Sequence, residues 1–290
     1  MKWTPESESP NGVVQIVHGL SEHAERYNHF ANFLTRHGFA VYSHDHRGHG
    51  KTDPDSLGHI ESTDGFHLMA ENINDVYQHI SSEYSDTPHI LLGHSMGSFL
   101  VQRLMQISNL RPDGIIYSGS NGKPPAMLRV GIFLSKVISK MYGPDAKGEL
   151  LFKMTFGSYN NHFKPIKTEV DWLSRDPEMV QLYADDPLCN AVPTASFFRH
   201  MFEGVQQLHS HRPFSDHNPN IPILILSGDS DPVSNMGKGI RNLEKLIIMS
   251  GVQDLQVLLY PGGRHEMLNE TNREEVMNDI LNWINRILAR

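Results

Sequence analysis

The sequence predicts an α/β fold: a mostly parallel central sheet, helices on both of its faces, and a helical segment inserted between two later strands. Three observations carry this expectation. Short apolar runs recur along the chain without polar alternation, helix-like segments separate them, and the alternation breaks once, from about residue 119 to 214. Runs that are apolar on both faces fit parallel strands covered by helices on each side.

Taken in order, residues 13–17 read as a strand that ends at His18-Gly19, residues 26–37 as a helix closed by Gly38, and Phe39–Ser43 as the next strand. Over residues 65–84 the apolar positions Phe66, Met69, Ile73, Val76, Tyr77 and Ile80 fall near helical spacing. Residues 89–92 form a strand running directly into Gly93, residues 99–107 a helix, and residues 114–117 a strand. The next stretch is rich in Met, Phe and His and shows no strong strand; strands resume at 223–226 and Leu255–Tyr260, and an amphipathic helix over about 272–288 closes the chain. The expected organisation is a core of residues 1–118 and 215–290 with a helical cap, 119–214. At about 95 residues the insertion is too long for a connecting loop.

Composition narrows the class. A chain of 290 residues suits one large domain with an insertion. With 39% hydrophobic and 20% charged residues it has the make-up of a globular protein and not of a disordered one. The net charge of −8 argues against nucleic acid as a partner, because phosphate binding needs clustered Lys and Arg. Cys189 is the single cysteine, so an intrachain disulfide is excluded. Residues 1–6 lack a basic start followed by an apolar core, and no stretch reaches the ~18 apolar residues of a membrane span. The expectation is a soluble, cytoplasmic protein. Among 18 histidines the densest cluster is His44-Asp45-His46-Arg47-Gly48-His49. His44 and His46 would share a strand face, which allows a metal site, but a strand end running into a Gly-punctuated loop is the favoured reading.

The strongest chemical signal is Gly93-His94-Ser95-Met96-Gly97, a G-x-S-x-G pattern with a strand before it and a helix after it. The turn lifts the Ser hydroxyl off the sheet at the positive end of the helix, and its crowding calls for the glycines. A serine needs an oriented base to become a nucleophile, and in such folds the partners follow in the order Ser, acid, His. Two acids compete in Ser227-Gly228-Asp229-Ser230-Asp231-Pro232-Val233, a loop after a strand. Asp231, further into the loop and before a stiffening proline, is preferred; Asp229 reads as a turn-former. The base is His265, after the last strand and behind Gly262-Gly263. The expected oxyanion donors are the backbone N–H groups of Met96, which follows the nucleophile, and Leu20, in the loop opened by His18-Gly19.

These segments carry a family resemblance. His18-Gly19-Leu20-Ser21-Glu22-His23-Ala24-Glu25-Arg26-Tyr27, Asp45-His46-Arg47-Gly48-His49-Gly50, the serine elbow, Gly228 to Val233 and Gly262 to Glu266 together resemble the α/β-hydrolases. More narrowly they are similar to the monoacylglycerol lipase and lysophospholipase group, also called serine aminopeptidase-like hydrolases. The resemblance runs from about residue 12 to 288, with the insertion matching only in position and helical character. It implies Ser95, Asp231 and His265 as the catalytic residues, Leu20 and Met96 as oxyanion donors, and a cap over an acyl pocket. Ser98 stands where many relatives carry a second glycine, a change expected to be tolerated. Glu22, His23, Arg26 and Tyr27 read either as a polar scaffold for the oxyanion loop or as a helix start capped by Ser21 or Glu22.

Within the insertion, Met127, Val130, Leu134, Val137, Ile138 and Met141 make one apolar stripe, beside the charges Arg129, Lys136 and Lys140. The favoured reading is a cap helix whose apolar face covers the site; the alternative is transient contact with a membrane surface. Met127, Leu134, Ile138, Met141, Phe152 and Phe156 are the expected roof of the channel. The expected activity is hydrolysis of a small lipid ester, such as a monoacylglycerol, through an acyl-enzyme on Ser95 without metal or organic cofactor. An aminopeptidase would instead need a cap acid for the substrate amine, and Glu149, Glu169, Asp171, Asp176, Asp185, Asp186 and Glu203 are available. A non-catalytic binding module would be expected to lose part of this set.

Overall fold

A computed structural model describes residues 1–122, 127–210 and 218–289. Seven strands form one sheet: β1 (Lys2–Trp3), β2 (Gly12–Val17), β3 (Phe39–Ser43), β4 (His89–His94), β5 (Gly114–Ser118), β6 (Ile223–Gly228) and β7 (Leu255–Tyr260). Their spatial order is β1-β3-β2-β4-β5-β6-β7. All neighbours are parallel except β1, which runs antiparallel to β3. The helices are α1 (Asn28–Arg36), α2 (Gly65–Glu83), α3 (Met96–Ile107), α4 (Leu128–Tyr142), α5 (Glu149–Phe156), α6 (Pro177–Asp185), α7 (Ala195–Ser210), α8 (Lys238–Met249) and α9 (Arg273–Leu288).

Period-two alternation divides the strand side chains between two covered faces. Val14, Ile16, Ile90, Leu92, Ile116, Leu224 and Leu226 pack with Phe30 and Leu34 of α1 and Trp283 and Ile284 of α9. Val17, Leu91, Ile115, Tyr117, Ile223 and Ile225 pack with Phe66 and Met69 of α2, Leu100 and Leu104 of α3, and Ile240 of α8. Because both faces are dry, the strands carry no polar alternation, which is why they read as short apolar runs.

Two elements go beyond the sequence reading. Strand β1 is two residues long and half polar, too short for any periodicity. Helix α8 buries Gly239, Ile240, Leu243 and Ile247 along one side after Gly237, which sits in the left-handed region at φ 76°. The expected helix 26–37 is divided: a 3-10 turn covers Ala24–Tyr27 before α1 begins at Asn28. Helix α3 starts at Met96, directly after Ser95, and not at residue 99.

Between β5 and β6 lie α4 to α7, with only an isolated antiparallel bridge, Lys147 to Thr194, among the described residues. The expected boundary at 214/215 falls outside the described residues, as do Pro125 and Ala126 beside the apolar stripe. No described helix is long and apolar enough to cross a membrane. The carboxyl ends of β2, β4, β6 and β7 open towards one edge of the sheet, where ligands bind in folds of this kind.

Candidate active site

Strand β4 delivers Ser95 in a strained conformation, φ 51° and ψ −119°, that non-glycine residues rarely adopt. The neighbouring glycines are required by close approach. A Cβ on Gly97 would lie 2.1 Å from the Val17 carbonyl oxygen, and one on Gly93 2.7 Å from that of Gly97. The Ser95 N–H donates to Ser118 O at 2.9 Å, tying the turn to β5. Ser98 is fully buried and donates to Ser95 O at 2.6 Å, and its hydroxyl bonds Ser120 at 2.8 Å. The serine at this position is thus accommodated by hydrogen bonds.

The loops after β6 and β7 bring two further side chains to Ser95. His265 Nε2 lies 2.9 Å from Ser95 Oγ, and His265 Nδ1 lies 3.1 Å from Asp231 Oδ2. Asp231 is fully buried. Its Oδ1 accepts from the Val233 N–H at 2.8 Å and its Oδ2 from the Ser227 hydroxyl at 3.2 Å. Asp229 does not join this group; its Oδ1 accepts from the Gly262 N–H at 2.8 Å and from the Ser230 hydroxyl at 3.0 Å.

Burial alone would push the His265 pKa down, but the charge of Asp231 and its hydrogen bond outweigh that, and the pKa is raised above the ordinary value. The His265 ring packs between His94, 4.8 Å away, and Trp172, 5.1 Å away. Burial, with the nearby His265, lowers the His94 pKa to about 4, so at neutral pH His94 adds no second positive charge beside His265.

Leu20 and Met96 line the same cavity as Ser95. Met96 is the first residue of α3, so its N–H has no partner within the helix. Neither the Leu20 nor the Met96 amide donates to another group among the described residues.

Beneath the Leu20 loop is a buried polar network. Glu22 Oε1 accepts from the Gly19 N–H at 2.5 Å and from the Tyr27 hydroxyl at 2.9 Å. Arg26 bridges Glu22 at 2.7 Å and Glu266 through two bonds of 2.6 Å. His23 bonds Asp186 of the inserted segment at 2.8 Å. The scaffold reading therefore describes these side chains, and the helix-start reading does not. The turn at Ala24 has no cap from Ser21 or Glu22, and the Ala24 N–H donates to Asp45 at 2.8 Å.

The histidine-rich segment packs ring against ring, with His44 and His46 edge-on at 5.0 Å and His46 and His49 at 6.2 Å. Among the described residues, the metal-ligating side chains that come together are His23, Asp186 and Cys189.

The inserted segment closes over Ser95 and His265 to leave a mainly apolar cavity of about 1190 Å³. Of the expected roof residues, Met127, Phe152 and Phe156 line it. Leu134 and Ile138 instead pack against the core, and Met141 is 65% exposed. The stripe on α4 is rotated from its expected role. Gly131, Ile132 and Ser135 form the buried side, while Val130, Phe133 and Met141 face solvent. Tyr159 and Trp172 also line the cavity, in an aromatic cluster with Phe156. No sequence pattern marks them, because the segment has no regular strand or heptad spacing to fix its register.

Of the cap acids, only Glu149 and Glu169 line the cavity. Asp171 accepts from the Lys167 and Thr168 amides, Asp176 caps α6 and pairs with Arg273, and Asp186 pairs with His23. Asp185 accepts from Gln181, and Glu203 pairs with Lys136.

Comparison with known proteins places this geometry. A carboxyl esterase from Bacillus coagulans, solved in complex with glycerol, superposes with a TM-score of 0.91 at 29% identity, covering 99% of this chain and 93% of that one. The monoacylglycerol lipase of Mycolicibacterium smegmatis is 28% identical over 287 residues, 97% of this chain and 90% of that protein. Human monoglyceride lipase is 28% identical over 294 residues, 98% of this chain and 84% of that protein. The family profile described as serine aminopeptidase, S33, matches residues 8–272, and the chain belongs to that family of α/β-hydrolases.

Proposed function

We propose that the protein is a serine carboxylic-ester hydrolase acting on monoacylglycerols or lysophospholipids. The observation that carries this reading is the hydrogen-bond chain from Asp231 through His265 to Ser95 at the floor of a largely apolar cavity. Ser95 Oγ attacks the ester carbonyl while His265 Nε2 takes its proton. The oxyanion is held by the Leu20 and Met96 amides. His265 then protonates the departing alcohol, leaving the acyl group on Ser95, and next takes a proton from the water that hydrolyses it. Asp231 keeps Nδ1 protonated and stabilises the imidazolium. Each step uses only side chains and amides of this chain and water.

The inserted segment acts as a cap that encloses one acyl chain. The names of the relatives support the lipid-ester reading over the aminopeptidase one, and so does the commitment of most cap acids to structural bonds. Transient contact with a lipid surface belongs to the same reading: Val130, Phe133, Met141, Tyr142 and Leu150 are exposed, next to the exposed cations Arg129 and Lys140. So does a cytoplasmic location, since the lone thiol, Cys189, is buried and needs no oxidising compartment.

The test is kcat/KM over monoacylglycerols of graded chain length, lysophospholipids, a triacylglycerol and an aminoacyl anilide. A buried methylene contributes about 0.8 kcal/mol, or roughly four-fold per carbon, until the cavity is full. A rising series with little turnover of the triacylglycerol or anilide is expected. A flat series, or preference for the anilide, would reject the lipid reading and promote the peptidase.

A further inference from the structure

Where the inserted segment meets the core, three side chains that take no part in the chemistry at Ser95 come together. His23 follows the Leu20 loop, and Asp186 and Cys189 follow α6. We propose that they form a zinc site, with the His23 imidazole, the Asp186 carboxylate and the Cys189 thiolate as the protein ligands.

Each side chain offers one ligand atom, and these atoms lie within 4.8 Å of one another. The His23 and Asp186 pair is the nearer contact, 2.8 Å between Nε2 and Oδ2. Donors about 2.0–2.3 Å from a tetrahedral zinc stand about 3.3–3.6 Å apart. Small side-chain rotations convert one spacing into the other.

Backbone bonds already hold both segments in place. The Cys189 N–H donates to the Asp186 carbonyl at 3.0 Å, closing a turn that joins two ligands three residues apart. Asp186 Oδ1 accepts from the Leu188 N–H at 2.8 Å, which leaves Oδ2 to His23. Ser21 fastens the same stretch to the core. Its hydroxyl donates to Ala191 O at 2.8 Å, and its carbonyl accepts from the Tyr183 hydroxyl and the Asn190 N–H, both at 3.0 Å. Little ordering is therefore left for the ion to impose.

The donor set selects the metal. Imidazole, carboxylate and thiolate suit zinc, whereas calcium and magnesium take oxygen ligands. One carboxylate and one thiolate balance the two charges of the ion, as burial demands. The Asp186 side chain is 28% exposed, which gives the ion an entry and a water the fourth position. Arg26 also acts on Cys189, but it is paired with Glu22 and Glu266, and the trio carries one net negative charge.

The protons balance. His23 Nε2 faces a carboxylate oxygen, which only accepts, so it carries a proton, while the buried Nδ1 has no partner among the described residues. On binding, the ring keeps one proton, now on Nδ1, and frees Nε2 for the ion. Burial pushes the Cys189 thiol pKa up, so the thiol keeps its proton until zinc displaces it to solvent.

An ion here adds a tie between the inserted segment and the loop that carries Leu20, and stabilises the folded chain. The test is calorimetric titration of the reduced, untagged protein with zinc chloride, beside zinc X-ray absorption. The parent should bind one zinc at this site, with one sulfur at about 2.3 Å and nitrogen or oxygen at about 2.0 Å. Cys189→Ala should weaken that binding by at least about 100-fold and Asp186→Asn by at least about ten-fold, no less than loss of an outer hydrogen-bond partner costs a metal site. Free zinc at about a hundred times Kd should raise the parent melting temperature by about 5 °C, and leave that of Cys189→Ala unmoved. Cys189 does not line the cavity, so Cys189→Ala should keep the parent's aryl-ester turnover in metal-free buffer, which shows that it folds. No zinc on the parent, binding unchanged in Cys189→Ala, or a zinc shell without sulfur would overturn the site. Failure of the monoacylglycerol series would count against the lipid reading alone, since the zinc site does not depend on the substrate.

Discussion

Replacing Asp231 by Asn changes one atom, and the structure dictates which way the new amide sits. The Val233 N–H donates to Oδ1 at 2.8 Å, so the Asn carbonyl oxygen must take that place. The NH2 group then occupies the position of Oδ2, facing His265 Nδ1 across 3.1 Å. Two donors cannot share that contact, so Nδ1 gives up its proton and Nε2 acquires one. In that tautomer Nε2 presents N–H to Ser95 Oγ, 2.9 Å away, and cannot accept the serine proton. The buried negative charge that stabilises the imidazolium is lost as well. The expected loss in kcat is on the order of 10⁴, the scale of the same change in other serine triads.

The pH dependence adds a signature. In the parent the Asp231 charge holds the His265 pKa above its ordinary value in spite of burial. The base must be neutral, so kcat/KM should rise with pH through that raised value. In Asp231→Asn the strongest influence that opposes burial is gone, leaving only the charges of Glu266 and Glu22, and any residual activity should titrate at lower pH. Asp229→Asn is the control: its side chain only accepts from Gly262 N and the Ser230 hydroxyl, which an amide oxygen can also do, so the loss should stay within a few-fold. The assay is a pH–rate profile on an aryl ester for the three proteins. Similar losses in both variants, or a loss below ten-fold in Asp231→Asn, would refute the assignment.

Ser95→Ala should abolish ester hydrolysis, by about 10⁴-fold or more, with an unchanged melting temperature, because the elbow is crowded at its glycines and not at the serine side chain; hydrolysis at the parent rate in a pure sample would contradict this. Acid should unfold the protein from about pH 6 downwards. Burial pushes His44 and His94 to about 4 and His89 to about 3, so below their ordinary value of 6.5 the unfolded chain binds protons that the folded one does not. Three such groups give a slope of up to about 4 kcal/mol per pH unit between their folded and unfolded values, steepened by His18, His46 and His49. His265 acts in the opposite sense, its contribution being lost as pH rises through its raised pKa. Urea unfolding midpoints across this range check the slope, and a flat profile between pH 5 and 7 would contradict it.

The sheet was legible because its strands are dry on both faces and leave uninterrupted apolar runs. Ser95 and His265 were legible through their local contexts, a G-x-S-x-G turn and a glycine pair after the last strand. The preference for Asp231 over Asp229 rested on loop position and the following proline, and the three-dimensional path of that loop brings Asp231 to the His265 ring. Side-chain direction on α4 was not legible. Its apolar residues run almost all the way round the helix, so the stripe 127–130–134–137–138–141 named an apolar face that is not the buried one, which is set by the packing of Phe202 of α7 against Gly131. Trp172 and Tyr159 were invisible for a related reason, since they sit on short 3-10 turns without periodicity.

The central claim is that Ser95 receives a single acyl chain within the capped cavity. It is tested most directly by labelling with alkyl fluorophosphonates of increasing chain length, followed by mass mapping of the modified residue. The account predicts one adduct, on Ser95, forming faster as the alkyl chain lengthens and slowed by an added monoacylglycerol. An adduct on another residue, or Ser95 labelling that is indifferent both to chain length and to the monoacylglycerol, would contradict it.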